Sequence, residues 1–296
     1  MTVQPPTASA LHSDDTREQP IVVAVRDPAT GGPPSRWAAR RATLLDCPLT
    51  LLHAVPDPEL VPPGIPYESL VTAAGEMLDD EAARIRADFP GVRLRTLVHR
   101  GDVVAALLGL AAGSPLLVVG ADRSNPHTGE FEGSVGLQVA LGSAAPVVVV
   151  PRGYGAPPTA EEAHGDVVVG IEGSALSLAA LERAAGEADR TGGSLTVVVA
   201  GSTEQGDALE AATSTLLADL RARFPGLVID WYVDTERPPA LALAHRGTGA
   251  KLLVIGRHGR GAREGMSLGS VTHALLLDPP CPTLVVTQRP IDQQLG

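Results

Sequence analysis

The chain repeats itself, and no other feature constrains its fold as tightly. Ile21-Val-Val-Ala-Val25 lies over Val167-Val-Val-Gly-Ile171 at an offset of 146 residues. Further along, Leu117-Val-Val-Gly120 lies over Leu253-Val-Ile-Gly256 at an offset of 136, and so do Gly133-Ser-Val135 over Gly269-Ser-Val271 and Pro146-Val-Val-Val-Val150 over Pro282-Thr-Leu-Val-Val286. A period of this length in 296 residues implies two homologous units, each of ordinary domain size. The ten residues by which the offsets differ are extra in the first copy, where the Pro-rich stretch 55–66 accommodates them. The boundary falls in 151–165, whose Gly153, Gly155, Pro157 and Pro158 make a solvated linker.

Within each unit, short β-branched runs alternate with Ala/Leu-rich helical stretches, the pattern of a parallel sheet with crossover helices. In the second unit strands are predicted over 166–172, 194–200, 227–234, 251–256 and 282–287, with helices near 176–190, 207–223, 239–246 and 270–278. The valine runs Val118-Val119 and Val147 to Val150 barely alternate, as expected of strands covered on both faces. Each unit therefore reads as a five-stranded, Rossmann-like α/β sandwich. The expected layout is a leader over 1–19, a first domain over 20–151, a linker over 152–165, a second domain over 166–288 and a tail over 289–296. The leader is polar, carries Pro5, Pro6, Asp14 and Asp15, and lacks the apolar core of a signal peptide. The uncharged run 103–121 approaches the length of a membrane span, but Gly113-Ser114-Pro115 divides it into a helix, a turn and a buried strand.

Composition removes several functions. A net charge of −11 and 3 % aromatic residues argue against binding along nucleic acid. Lys251 is the single lysine and sits in Gly-Ala-Lys-Leu-Leu, which excludes a P-loop. Cys47 and Cys281 lack any Cys-x-x-Cys spacing and read as small core residues of a cytoplasmic protein. The eight histidines form no His-x-x-x-His pair, so no dedicated metal site is expected, and His53 reads as a hydrogen-bonded side chain at the core edge. Neither Glu172-Gly-Ser174 nor Leu268-Gly-Ser270 fits a hydrolase nucleophile elbow.

Open α/β sheets bind ligands at the carboxyl ends of their strands, where strand order reverses. With strand order 3-2-1-4-5, that reversal lies between the first and fourth strands, so Glu172 and Gly256 flank one crevice. The loop after Gly256 holds two early glycines and runs to a Gly-Ser at a helix start, which together offer close backbone approach and unpaired N–H groups. Arg257, Arg260 and Arg263 against Glu264 give it a charge of +2, an anion cradle in an acidic chain.

Gly256, two residues, Gly259, nine residues, then Gly269-Ser270 resembles the ATP-binding signature of the universal stress proteins. Val169-Gly-Ile-Glu-Gly-Ser174 is similar to that family's opening strand, and Val271 to Leu275 with Cys281 to Val286 to its closing helix and strand. The resemblance implies the 3-2-1-4-5 order and an adenine nucleotide in the second domain. Gly170, Ile171 and Ala200 would line the adenine side, and Glu172 would meet the ribose or a phosphate-bound Mg²⁺. Gly256, Arg257, His258 and Gly259 would wrap the ribose and phosphates, with Gly269, Ser270, Val271 and Thr272 holding the phosphates at the last helix. The family usually has Asp where Glu172 stands, and the extra methylene shifts the carboxylate by roughly 1.5 Å.

The first copy departs further. Arg26 replaces the carboxylate, Arg123 replaces the second glycine, and Asp122, Glu130 and Glu132 give its loop a charge of −2. Gly120 and Gly133-Ser134 remain, but like charges beside a triphosphate oppose binding, so the first domain is expected not to bind ATP. Relatives in the family pair through the fifth strand, which implies an intramolecular pseudo-dimer of the two domains, with homodimerisation as an open alternative. The function expected is stress-response or regulatory ATP binding without catalysis, since Glu172 is the one carboxylate placed at the crevice. A nucleotide-independent scaffold and a slow ATPase are the alternatives.

Overall fold

The computed structural model describes residues 19–26, 32–121, 134–155, 166–259 and 268–287. Most of the leader, most of the linker and the tail lie outside these residues. The chain divides into two compact units, Met1–Val119 and Gly120–Gly296.

The first unit runs β1 (Ile21–Ala24), α1 (Pro33–Leu45), β2 (Leu49–Val55), a 3-10 turn (Pro58–Leu60), α2 (Tyr67–Asp88), β3 (Leu94–Arg100), α3 (Val103–Ala111) and β4 (Leu117–Gly120). Its strands are parallel in the order β3-β2-β1-β4, with Ile21 opposite Leu49 and Val22 opposite Leu117. The uncharged run resolves as expected into α3 and β4. Asp102 caps α3 by accepting from the Ala105 N–H at 2.7 Å. No helix among the described residues is long and apolar enough to cross a membrane. The insertion lies where the offsets placed it, because residues 56–66 join β2 to α2 whereas only 201–202 make the corresponding connection in the second repeat.

The second unit contains α4 (Val135–Gly142), β5 (Val147–Val150), β6 (Val167–Gly170), α5 (Ala175–Thr191), β7 (Leu195–Ala200), α6 (Thr203–Arg223), β8 (Ile229–Asp234), α7 (Pro239–Gly247), β9 (Leu252–Gly256), α8 (Ser270–Leu277) and β10 (Thr283–Val286). Strand order is β5-β10-β9-β6-β7-β8, so the second repeat's own strands follow the 3-2-1-4-5 plan. All pairs are parallel except β5 with β10, which run antiparallel with Leu284 opposite Val148. The last helix and strand of the first repeat, α4 and β5, thus pack with the second unit. All four valines of β5 are buried, so this apolar strand is no open pairing edge.

Sequence explains the helix starts. Ser174 and Ser202 sit at the N-caps of α5 and α6, and Ser202 with Gln205 forms a complete capping box. That box starts α6 at Thr203, four residues before the predicted position. The core comprises β-branched and leucine side chains such as Val169, Leu195 and Leu253, with the small face Ala180, Ala184 and Ala188 letting α5 approach the sheet closely. Cys47 and Cys281 are buried free thiols, and burial pushes the Cys281 thiol up to about 12.

Candidate functional site

β6 and β9 are neighbours, Val169 opposite Val254, and their carboxyl ends open on the point where strand order reverses. Three segments meet there: the turn 171–174 leading into α5, the loop 257–259 after β9, and the start of α8. Gly256 lies close against α5, since a Cβ on it would stand 3.3 Å from the Leu176 Cβ.

The turn after β6 is held by serines. The N–H groups of Glu172 and Gly173 donate to the Ser177 hydroxyl at 3.4 and 3.1 Å, and the Ser177 N–H donates to Ser174 at 3.2 Å. Gly173 adopts φ of 87°, the left-handed backbone that lets the chain double back. The Glu172 side chain follows that turn, and its Oε1 accepts from the Ser174 N–H at 3.2 Å. The third helical N–H of α5, that of Ser177, is therefore already occupied. Ser174 and Ser177 were not among the predicted site residues, although Ser at the N-cap and at the third helical position is a readable local signal.

Gly259 lies across from this carboxylate. A Cβ on Gly259 would stand 3.3 Å from both Cδ and Oε1 of Glu172, so the carboxylate rests directly on the glycine backbone. Gly269 brings the start of α8 against the same loop. Its N–H donates to the Arg257 carbonyl at 3.0 Å, and a Cβ on it would come within 3.2 Å of the His258 Cα. The glycines read in the sequence thus sit at close contacts, Gly259 against the Glu172 side chain and Gly269 against the backbone of His258. Gly269 is the N-cap of α8 and offers no side-chain acceptor, so among the described residues no side chain caps the amides of Ser270, Val271 and Thr272. By contrast, Ser134 begins α4 of the first repeat with its hydroxyl accepting from the Leu137 N–H at 3.4 Å, and it is buried.

Several expected residues are placed otherwise. Arg257 was assigned to the anion cradle, but its guanidinium Nη1 donates to the Leu141 carbonyl at 3.0 Å, at the end of α4. The last turn of a helix leaves carbonyls unsatisfied, and an arginine meets that demand. Thr272 brings only its amide to the crevice, because its hydroxyl donates to the Gly256 carbonyl at 2.8 Å. Gly170 presents no open face to an adenine on the side where a Cβ would project, since that atom would lie 2.7 Å from a Leu243 methyl of α7. Ile171 is buried and its N–H donates to Val198, while Ala200 is half-buried opposite Asp234. His53 is a core-edge residue whose Nδ1 lies 2.7 Å from the Val25 carbonyl. Arg260, Arg263 and Glu264, like Asp122, Arg123, Glu130, Glu132 and Gly133, lie outside the described residues. Arg26 is exposed at the end of its strand segment.

Asp234, at the end of β8, was missed. It is buried and accepts from the N–H groups of Glu236 and Arg237 and from the Arg237 guanidinium, which fixes the entry to α7. Desolvation works to raise its pKa, but the backbone donors and the Arg237 charge outweigh it and hold the carboxyl below its ordinary value.

A doubly wound α/β unit with a glycine loop and a helix start at its strand-order reversal has its crevice where this architecture holds ligands. The sequence profile of the Universal stress protein family matches this chain twice, over residues 18–151 and 164–287. The chain belongs to that family, in tandem form. It is 29 % identical over 292 residues to a universal stress protein of Mycolicibacterium smegmatis, covering 92 % of this chain and 98 % of the relative. A Mycobacterium tuberculosis universal stress protein is 30 % identical over 275 residues, covering 85 % and 90 % of the two chains. Among solved structures, a universal stress protein of Archaeoglobus fulgidus shares the fold with a TM-score of 0.69 at 19 % identity, over 92 % of this chain and 97 % of that one.

Proposed function

We propose that the second repeat binds an adenine nucleotide, ATP with Mg²⁺, and that the protein acts as a stress-response binding protein in the cytoplasm rather than as an enzyme. The observation that carries this reading is the juxtaposition of the uncapped α8 start with the Gly259 loop, packed through Gly269. Backbone N–H groups at a helix start attract phosphate oxygens, and the first turn of α8 supplies them at Ser270, Val271 and Thr272. The Ser270 hydroxyl adds a side-chain donor. The half-buried Ala200 would offer apolar surface on the adenine side, while His258 and Gly259 would wrap the ribose and phosphates. Mg²⁺ bound with the phosphates would be met by Glu172, where it would offset the carboxylate charge.

The residues argue for binding without turnover. Water activation needs a free base in the crevice, and the Glu172 Oε1 already accepts from the Ser174 N–H. The first repeat serves as a structural partner that contributes α4 and β5 to the second compact unit and binds no nucleotide, consistent with the Ser134 hydroxyl being engaged at its own helix start. Binding would order the crevice and stabilise the fold by linkage.

Calorimetric titration of MgATP into the full chain, beside a Gly259→Glu, Ser270→Ala double variant, tests this. One site per chain that the double variant lacks is the expected result. Two sites would overturn the inactive first repeat, and no heat at millimolar MgATP would leave a nucleotide-independent scaffold. Phosphate release abolished by Glu172→Ala would instead make the protein a slow ATPase.

A further inference from the structure

We infer that copies of this chain associate head to tail by edge pairing, β3 of one copy adding antiparallel to β8 of the next with Val98 opposite Trp231. The pairing is independent of the nucleotide site.

The two strands are equivalent in the repeats, yet they are oppositely charged. β3 reads Leu-Arg-Thr-Leu-Val-His-Arg with no acid, and β8 reads Ile-Asp-Trp-Tyr-Val-Asp with no base. Each ends the strand order of its own unit, and among the described residues β3 pairs with β2 alone and β8 with β7 alone. Leu97 is 38 % exposed and Asp230 is exposed, and no proline interrupts either strand. Proline and like charge are what close an edge to partners, and these two edges differ in sign.

The register follows from the backbone. The Leu49 N–H donates to the Arg93 carbonyl and the Gly101 N–H to the Val55 carbonyl, both at 2.8 Å, so parallel alternation turns the backbone of Arg95, Leu97 and His99 toward β2. Thr96, Val98 and Arg100 then turn their N–H and C=O groups outward. In β8 the Val228 carbonyl accepts from the Leu195 N–H and the Asp234 carbonyl from the Gly201 N–H, which leaves Ile229, Trp231 and Val233 outward. An antiparallel pair bonds outward residues directly opposite one another, and Val98 opposite Trp231 brings Thr96 to Val233 and Arg100 to Ile229. On the other face the same register sets Leu97 against Tyr232, His99 against Asp230 and Arg95 against Asp234. A slip of two residues would place Leu97 against an aspartate, and a slip of one would turn the bonding groups of one strand away. Parallel pairing would set Arg95 and His99 against Ile229, Trp231 or Val233. Asp234 is buried with Arg237, and the Arg95 Nε donates to the Thr50 hydroxyl at 2.8 Å, so the charge contact rests chiefly on His99 and Asp230. Because each copy carries one edge of each kind, the contact is heterologous, and growth continues until a ring closes.

Sedimentation velocity of the full chain over a range of concentrations tests this. Val98→Pro removes an outward N–H of β3 that the fold itself does not use, and Asp230→Arg reverses the charge on β8. His99→Asp, which sets like charges across the pair, is a second β3 variant that keeps the backbone, and melting curves check that each variant folds. Wild-type mass should rise with concentration, and self-association should be at least about tenfold weaker in each variant. Mixed together, Val98→Pro and Asp230→Arg chains should form a one-to-one complex, since the first keeps its β8 edge and the second its β3 edge. The swap His99→Asp with Asp230→Arg in one chain should regain association. A wild-type chain that stays monomeric, association that all three single variants retain, or Val98→Pro and Asp230→Arg chains that do not combine on mixing would each overturn the pairing.

Discussion

Replacing Arg257 with Met separates an anchoring role from a ligand role. The guanidinium donates to the Leu141 carbonyl at 3.0 Å, and Leu141 lies in the last turn of α4, where carbonyls have no onward helical partner. A hydrogen bond from a charged donor contributes about 1.5–3 kcal/mol, and a partly buried example falls near 2 kcal/mol. Methionine keeps the aliphatic stem and removes the donor, so the loss should appear as easier local opening of α4. A loss of about 2 kcal/mol lowers the protection of amides in 135–142 against hydrogen exchange by about thirtyfold. Exchange followed by mass spectrometry reads this directly, without the assumption of two-state unfolding for a chain of two units. MgATP affinity should change by less than about twofold, because the guanidinium is engaged at the Leu141 carbonyl. Unchanged protection together with a tenfold loss of affinity would refute the reasoning and return Arg257 to the ligand set.

Thr272→Val removes the hydroxyl that ties α8 to the Gly256 carbonyl at 2.8 Å, and a buried group left unpaired costs about 1–3 kcal/mol; urea denaturation should register the loss, with Thr272→Ser close to wild type. Ser202→Ala removes the hydroxyl that accepts from the Gln205 N–H in the capping box at α6, which should cost about 1 kcal/mol and raise exchange in the first turn of α6 while leaving α5 protected. The Cys281 thiol, raised to about 12 from 9.0 by burial, favours its protonated form in the fold. Its stabilising contribution is therefore complete below about pH 9 and declines as pH climbs toward 12, a decline that Cys281→Ala should lessen in alkaline denaturation curves. The same thiol should resist alkylation at pH 8 until the chain is unfolded.

The repeat, the alternation of strands and helices, the insertion after β2 and the position of the glycine loop were all legible in the chain, because each is a local pattern or a spacing. Burial on both faces of a parallel sheet writes itself as valine runs, and the glycines of the second repeat's loop stand out by their spacing after β9. What tertiary structure decided was where long side chains go. Arg257 reads as a cation beside an anion site, yet it spans to a carbonyl 116 residues earlier in the chain, a partner no local pattern could name. Thr272 reads as a phosphate donor, but the end of β9 takes its hydroxyl. Asp234 is one acid among many in the sequence, and burial with three donors converging on it makes it an anchor. Sequence determined the sheet and the glycine cradle, since backbone geometry follows from local residue type. Only the packed fold determined which charges reach that cradle, because a flexible side chain is committed by whichever unsatisfied backbone group lies within its reach.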